Sequence, residues 1–258
     1  MMKIIDLSIA IENNIPSDPK EMIPNITYMD HEFCVPSMLH FFGSATQKDL
    51  PNGMAWAIEE VRLTTHSGTH LDAPYHYHPT MNNGERSWTI DEVPLEWCYA
   101  DGVVIDFTDK EDGYAATIHD FELELQRIGY QLKPNDIVLI NTGASKKWGS
   151  PEYLTSGCGM GREVTLWLIN QGIHVMGTDA WSWDRPLPII GAEFDRTGDN
   201  SIIWEGHYAG IQKAYCHIEK LTNLDRLPSI GFKVNCFPIK LKGGSAGWTR
   251  AVAIIEKQ

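Results

Sequence analysis

Within eleven residues, His66-Ser67-Gly68-Thr69-His70-Leu71-Asp72-Ala73-Pro74-Tyr75-His76, the chain places three histidines and a carboxylate, with a glycine and a proline between them. A fold that holds this segment must bring several of these side chains to one point. Neutral imidazoles and a carboxylate are ligands for borderline divalent metals such as zinc and manganese, and three protein ligands leave positions open for water. His70 and Asp72 are two apart, so in an extended stretch both face the same way. His66 lies four residues before His70, a helical spacing. Gly68 between them, and the strand-like alternation of the residues before Thr65, argue against a helix. The expectation is a strand end followed by an irregular loop. Pro74 favours an extended Ala73 and stiffens the exit, which fixes His76 relative to the ligands as the proton-transfer residue.

The pattern H-x-G-T-H-x-D-x-P-x-H resembles the signature of the cyclase family, which includes bacterial metal-dependent kynurenine formamidases and isatin hydrolases. Ile5-Asp6-Leu7-Ser8 is similar to that family's opening strand, and Gly177 to Asp184 to its G-x-D-x-x-S-x-D segment. The resemblance covers most of the chain and implies a single α/β domain over residues 1–258, of the swivelling β/β/α type. It also implies homodimers or homotetramers with sites near subunit contacts. In the formamidases a histidine and a glutamate twelve residues apart complete the metal centre, and His207 and Glu219 match that spacing here. A continuous helix would leave those two about 120° apart around its axis, so a break is required. His207 to Ala214 reads as a short helix and Tyr215 to Leu221 as a strand, which supplies one.

The remaining histidines are weighed as ordinary. His31, His40, His119 and His174 are assigned no chemistry. His78 and His217 each lie two residues from a candidate and would share its face in extended chain, but both are read as solvated or hydrogen-bonded. The run Gly157-Cys158-Gly159-Met160-Gly161 lacks the ending of a nucleotide loop and reads as the start of a helix carrying Val164, Trp167 and Leu168, with Gly172 past its end and its N-terminus open to the site.

A net charge of −13 over 258 residues argues against a nucleic-acid surface, and no uncharged apolar run approaches the ~20 residues of a membrane span. Lys3, Asp6 and Glu12 interrupt any secretory leader, and five cysteines without C-x-x-C suit a reducing compartment, so the expected location is the cytoplasm. Strands are predicted at residues 4–9, 57–65, 102–107, 136–141, 173–176, 215–221, 231–237 and 249–255. The clearest helix starts at a Thr117 N-cap and ends at Gly129.

Two segments, Lys20 to Asn52 and Arg185 to Glu205, exceed the length of compact formamidases and are expected to shape the substrate pocket. Phe41, Phe42, Trp181 and Trp183 would suit a flat aromatic substrate there. The predicted chemistry is hydrolysis of a small aromatic amide, either an aryl formamide of the N-formylkynurenine type or a cyclic amide of the isatin type. One or two Mn or Zn ions per chain would be held by His66, His70, Asp72, His207 and Glu219, and His76, His207 and Glu219 would move protons. Lactone hydrolysis, a literal cyclisation or dehydration, and metal binding without catalysis are the alternatives.

Overall fold

The computed structural model describes residues 1–256. In chain order its strands are β1 (Met2–Asp6), β2 (Asn25–Met29), β3 (Ile58–Arg62), β4 (His70–Asp72), β5 (Thr80–Met81), β6 (Glu85–Arg86), β7 (Tyr99–Asp106), β8 (Ala115–Ala116), β9 (Ile137–Asn141), β10 (Gly159–Met160), β11 (Val175–Thr178), β12 (Cys216–Glu219), β13 (Phe232–Asn235), β14 (Ala246–Trp248) and β15 (Val252–Glu256). The α-helices are α1 (Val35–Leu39), α2 (Pro74–Tyr77), α3 (Ile118–Ile128), α4 (Arg162–Asn170), α5 (Leu187–Thr197) and α6 (Glu205–Tyr208). Each of the eight predicted strands overlaps one of these, with ends shifted by up to three residues. Among the described residues no helix is long and apolar enough to cross a membrane.

Nine strands form one sheet in the order β1-β15-β13-β7-β9-β11-β12-β4-β14. The central four, β7, β9, β11 and β12, run parallel, and the strands on either side pair antiparallel. An isolated bridge from Ser8, just past edge strand β1, to Leu221, just past β12, curls the sheet toward closure. Both faces are covered, which explains why β9 is apolar at every interior position: Ile137 and Leu139 join one core cluster, Val138 and Ile140 the other. α3 and α4 pack on the second face through Phe121, Leu125, Val164 and Leu168.

Local chemistry sets the helix ends. Thr117 and Asp120 form the capping box that starts α3, and Gly129 ends it at φ 66°. α4 begins after Gly161, as the glycine run implies, and its first amide is not free for a substrate. The Arg162 amide donates to the Glu205 carboxylate instead. Among the described residues β2 and β3 pair only with each other and carry exposed Tyr28, Ile58 and Val61, so residues 25–62 form an arm beside the sheet. All five cysteines are buried and free.

Candidate metal centre

Strand register builds the site. β4 and β12 pair antiparallel with His217 opposite Asp72 and Glu219 opposite His70. Alternation sends Leu71, Cys216 and Ile218 into one core cluster and these four polar side chains to the other face. Gly68, at φ 68°, turns the chain just before β4, and a Cβ there would lie 2.9 Å from Ile11 Cγ1. Two threads tie this turn down: Ser67 Oγ donates to the Met22 carbonyl at 2.9 Å and Thr69 Oγ1 to the Lys220 carbonyl at 2.6 Å. Ala73 is extended before Pro74, as expected, but His76 then sits on the short helix α2 and His66 in the turn ahead of the strand. The strand-then-loop expectation is corrected to turn, strand, helix, because Pro74 occupies the first helical position.

His66 Nδ1, His70 Nε2 and Asp72 Oδ1 form a triangle with sides of 3.2, 3.2 and 3.0 Å. The His70 Nδ1–H donates to the Gly68 carbonyl at 2.9 Å, which assigns the lone pair to Nε2. On the other oxygen, Asp72 Oδ2 lies 3.2 Å from His217 Nε2, 3.7 Å from His76 Nε2 and 4.0 Å from His207 Nε2. His207 comes from α6, whose Gly206 and His207 amides donate to Asp184, and Asp184 Oδ2 also accepts from His207 Nδ1 at 2.5 Å. Glu219 Oε1 accepts from the Trp183 amide at 2.9 Å and lies 3.6 Å from His207 Nε2, while Oε2 lies 3.6 Å from His70 Nε2.

Asp72 provides the test of fit for a metal. It is fully buried, yet among the described residues neither of its oxygens has a hydrogen-bond partner of acceptable geometry. Buried carboxylates without partners are costly. Ligands at ~2.0–2.1 Å from a tetrahedral ion stand about 3.3 Å apart, close to the triangle's sides. The residues fit a divalent ion.

Electrostatics agree with that arrangement. Burial works against ionisation of Asp72, but the imidazoles of His76, His70 and His66 hold it well below the usual carboxylate range. Burial also works against a charged His66, and the Asp72 carboxylate outweighs it to raise this imidazole. His76 goes the other way: burial, aided by His66 and His207 and only partly offset by Asp72, pushes it down to about 3. Burial works against a charged His217, and the Asp72 and Glu219 carboxylates beside its Nε2 outweigh it to raise this imidazole to about 9.

The cluster opens into a cavity of about 220 Å³ with His66, His76 and Glu219 on its floor and Trp181, Trp204 and Leu187 on its walls. A larger groove of about 650 Å³ passes Asp6, Phe237 and Arg250, but the imidazoles and carboxylates converge on the smaller space. Both long segments contribute to it, Lys20 to Asn52 through Met22 and Arg185 to Glu205 through Leu187 and Trp204.

Of the four aromatic residues expected in the pocket, only Trp181 is there, its indole N–H donating to Asp18 at 2.8 Å. Phe41 and Phe42 lie on the arm, 72% and 55% exposed, with Phe41 against Trp56. Trp183 is corrected from wall to core: it is fully buried, donates to Thr165 and stacks beneath His217. His217 itself was read as ordinary and belongs to the cluster, while His78 turns away to Thr80. The signal for His217 was its two-residue spacing from Glu219 on one strand face. Lys220 was also missed. Its backbone is left-handed at φ 60°, and its buried ammonium donates to Asp18 and, at 2.9 Å, to the His66 carbonyl.

Comparison with known proteins decides the family. The family model described as "Putative cyclase" matches residues 5–185. The chain belongs to this family. The matched span holds His66 through His76 and the Asp179 to Asp184 segment, while His207, His217 and Glu219 lie beyond it. A kynurenine formamidase of Erythrobacter litoralis (strain HTCC2594) is 24% identical over 214 residues, 82% of this chain and 83% of that protein. The crystal structure of an isatin hydrolase bound to the product analogue thioisatinate superposes with a TM-score of 0.77 at 18% identity, covering 99% of this chain and 93% of that one. Isatin hydrolase A from Labrenzia aggregata, bound to benzyl benzoate, gives 0.74 at 24% identity, with 99% and 94% covered. These structures share the mixed α/β fold with its curled sheet.

Proposed function

We propose that this member of the family is a metal-dependent hydrolase of a small aromatic amide, of the aryl formamide or isatin-like lactam class. The observation that carries the proposal is the orphaned Asp72 carboxylate, faced by converging imidazoles at the floor of a cavity. His66, His70 and Asp72 would hold a divalent ion, Mn or Zn, with His207 and Glu219 adjoining it. Such an ion, when bound, supplies Lewis-acid polarisation of a carbonyl and lowers the pKa of water.

The chain's own groups supply the rest. Burial disfavours the charged form of His76, so its neutral imidazole is available to take a proton from the attacking water. Its ring stands 4.0 Å from that of His66 and 5.6 Å from that of His207, and all three line the cavity. As the new C–O bond forms and the C–N bond breaks, His76 passes that proton to the leaving nitrogen. Trp181 and Trp204 exclude water and offer flat faces, and a cavity of about 220 Å³ favours a substrate below drug size. The names of the relatives, kynurenine formamidase and isatin hydrolase, favour amides over lactones within that class.

The test is a comparison of kcat/KM for N-formylkynurenine, isatin and an aryl lactone with Mn- and Zn-loaded protein, run in oxygen-18 water. Amide turnover that places one solvent oxygen in the product and stops with a chelator is the expected result. Turnover of the lactone alone, or a product free of solvent oxygen, would refute the amide hydrolase.

A further inference from the structure

His217 is a buried donor that the motif at residues 66–76 does not include and the pairing of His207 with Glu219 does not need. Its surroundings allow a tautomer whose lone pair faces the centre. The Tyr77 hydroxyl lies 3.4 Å from the Asp72 carbonyl oxygen and 3.1 Å from His217 Nδ1. A carbonyl only accepts, so a hydroxyl hydrogen directed to Asp72 leaves the hydroxyl oxygen to accept from His217 Nδ1–H. In that arrangement Nε2 of the neutral ring carries a lone pair, aimed at Glu219 Oε1 and Asp72 Oδ2, each 3.2 Å away. His207 is assigned in the same way, because its Nδ1 faces the Asp184 carboxylate and its Nε2 faces the same centre.

Four buried donors, Asp72, His207, His217 and Glu219, therefore converge on one volume. A proton on His217 Nε2 would lie in line with Glu219 Oε1 at 3.2 Å but would leave Asp72 Oδ2 without a partner. It would also leave His207 Nε2 at 3.6 and 4.0 Å from the two carboxylates, beyond hydrogen-bond range. A cation at the centre engages all four. Ligand atoms at ~2.0–2.2 Å from a tetrahedral ion stand roughly 3.3–3.6 Å apart; the separations of 3.2, 3.2 and 3.6 Å lie at or close to that range, and the 4.0 Å from His207 Nε2 to Asp72 Oδ2 lies beyond it.

We propose that His217 is a further protein ligand of the second divalent cation that the pairing of His207 with Glu219 implies, bound together with Asp72 Oδ2, His207 Nε2 and Glu219 Oε1, and that Tyr77 holds its ring in the ligating tautomer. The two oxygens of Asp72 then serve the two ions, Oδ1 beside His66 and His70 and Oδ2 beside His207 and His217. The inference rests on the reading of the neighbouring three-donor site as a metal site, and the experiment keeps the two apart.

The experiment is calorimetric titration of metal-stripped protein with Mn(II), repeated with Co(II) while its visible absorption is recorded, on wild type, His217→Ala, the volume-keeping His217→Gln, and Tyr77→Phe. Circular dichroism melts select the His217 variant that folds. Wild type is expected to take two ions per chain, and the folded His217 variant one, with loss of one of two Co(II) absorption components. Tyr77→Phe should keep two ions and weaken the second by about 10–100-fold, the usual effect of removing a ligand-orienting partner. Two ions bound equally well by wild type and the His217 variant would overturn the proposal. One ion in wild type, unchanged in the variant, would overturn it while leaving the metal-hydrolase reading standing. No ion in wild type would overturn both.

Discussion

Asp72 and Asp179 are both fully buried carboxylates in motif segments, yet their surroundings differ in kind. Asp179 accepts four hydrogen bonds, from the amides and hydroxyls of Thr142 and Ser145, at 2.7 to 3.2 Å. It fastens the loop after β9 to the end of β11. Burial nonetheless outweighs those donors and raises its pKa. Asp72 has imidazole nitrogens around it at comparable distances and no hydrogen bond of acceptable geometry among the described residues. The contrast shows that burial alone does not mark a functional carboxylate. A satisfied one holds loops together, and an orphaned one among imidazoles is the one we propose as a metal ligand.

The same substitution at both positions is the strongest way to break this comparison. Asp72→Asn should abolish metal retention and with it all measurable turnover, with little change in the melting temperature of metal-stripped protein. Asp179→Asn should retain the metal but lose roughly 2–4 kcal/mol of stability, because an amide N–H₂ then faces donors that need an acceptor. Metal content by plasma emission and thermal melts on both variants check this, and equal behaviour would erase the distinction. Next in size, His76→Ala should keep the metal and lose about 10²–10⁴ in kcat, the range for a positioned acid or base. A His76 variant that arrives metal-free and is rescued by excess metal would make His76 a ligand.

Much of the fold was legible in the sequence because it rests on periodicity. β9 and β7 read as near-continuous apolar runs between turn residues, and α3 announces itself through Thr117, Asp120 and Gly129. β14 was missed because Ala246–Trp248 is three residues long and too short for a period to show. In the centre, His66, His70, Asp72 and His76 were legible because one segment carries them all. His217 was not, since its partner Asp72 is 145 positions away and meets it only through β4–β12 pairing. Phe41, Phe42 and Trp183 show the reverse limit: an aromatic side chain looks alike in sequence whether it lines a cavity, sits on an arm or fills a core.

Smaller effects sharpen the account. Trp181→Ala should raise KM several-fold more for aromatic than for aliphatic amides, as expected from roughly 0.5–1.5 kcal/mol of ring contact. Equal effects on both would point to general loosening of the cavity wall. Smallest is a surface counterpart to the buried pair. Asp120 is only partly buried; burial opposes its ionisation, but Lys110, Thr117 and Tyr114 outweigh it and lower its pKa. A depressed folded-state pKa gives stability that is present above the ordinary aspartate range and is lost as pH falls through the folded value. Acid melts of Asp120→Asn should therefore run closer to wild type at low pH than at pH 7, and a constant gap would contradict the linkage.

The most direct measurement of the central claim is anomalous diffraction from crystals soaked in Mn(II) or Zn(II) and recorded at the metal edge. The account predicts a peak within bonding distance of His66 Nδ1, His70 Nε2 and Asp72 Oδ1, absent in Asp72→Asn crystals treated alike. Catalytically active crystals with no peak at these three atoms, or with the same peak in Asp72→Asn, would contradict it.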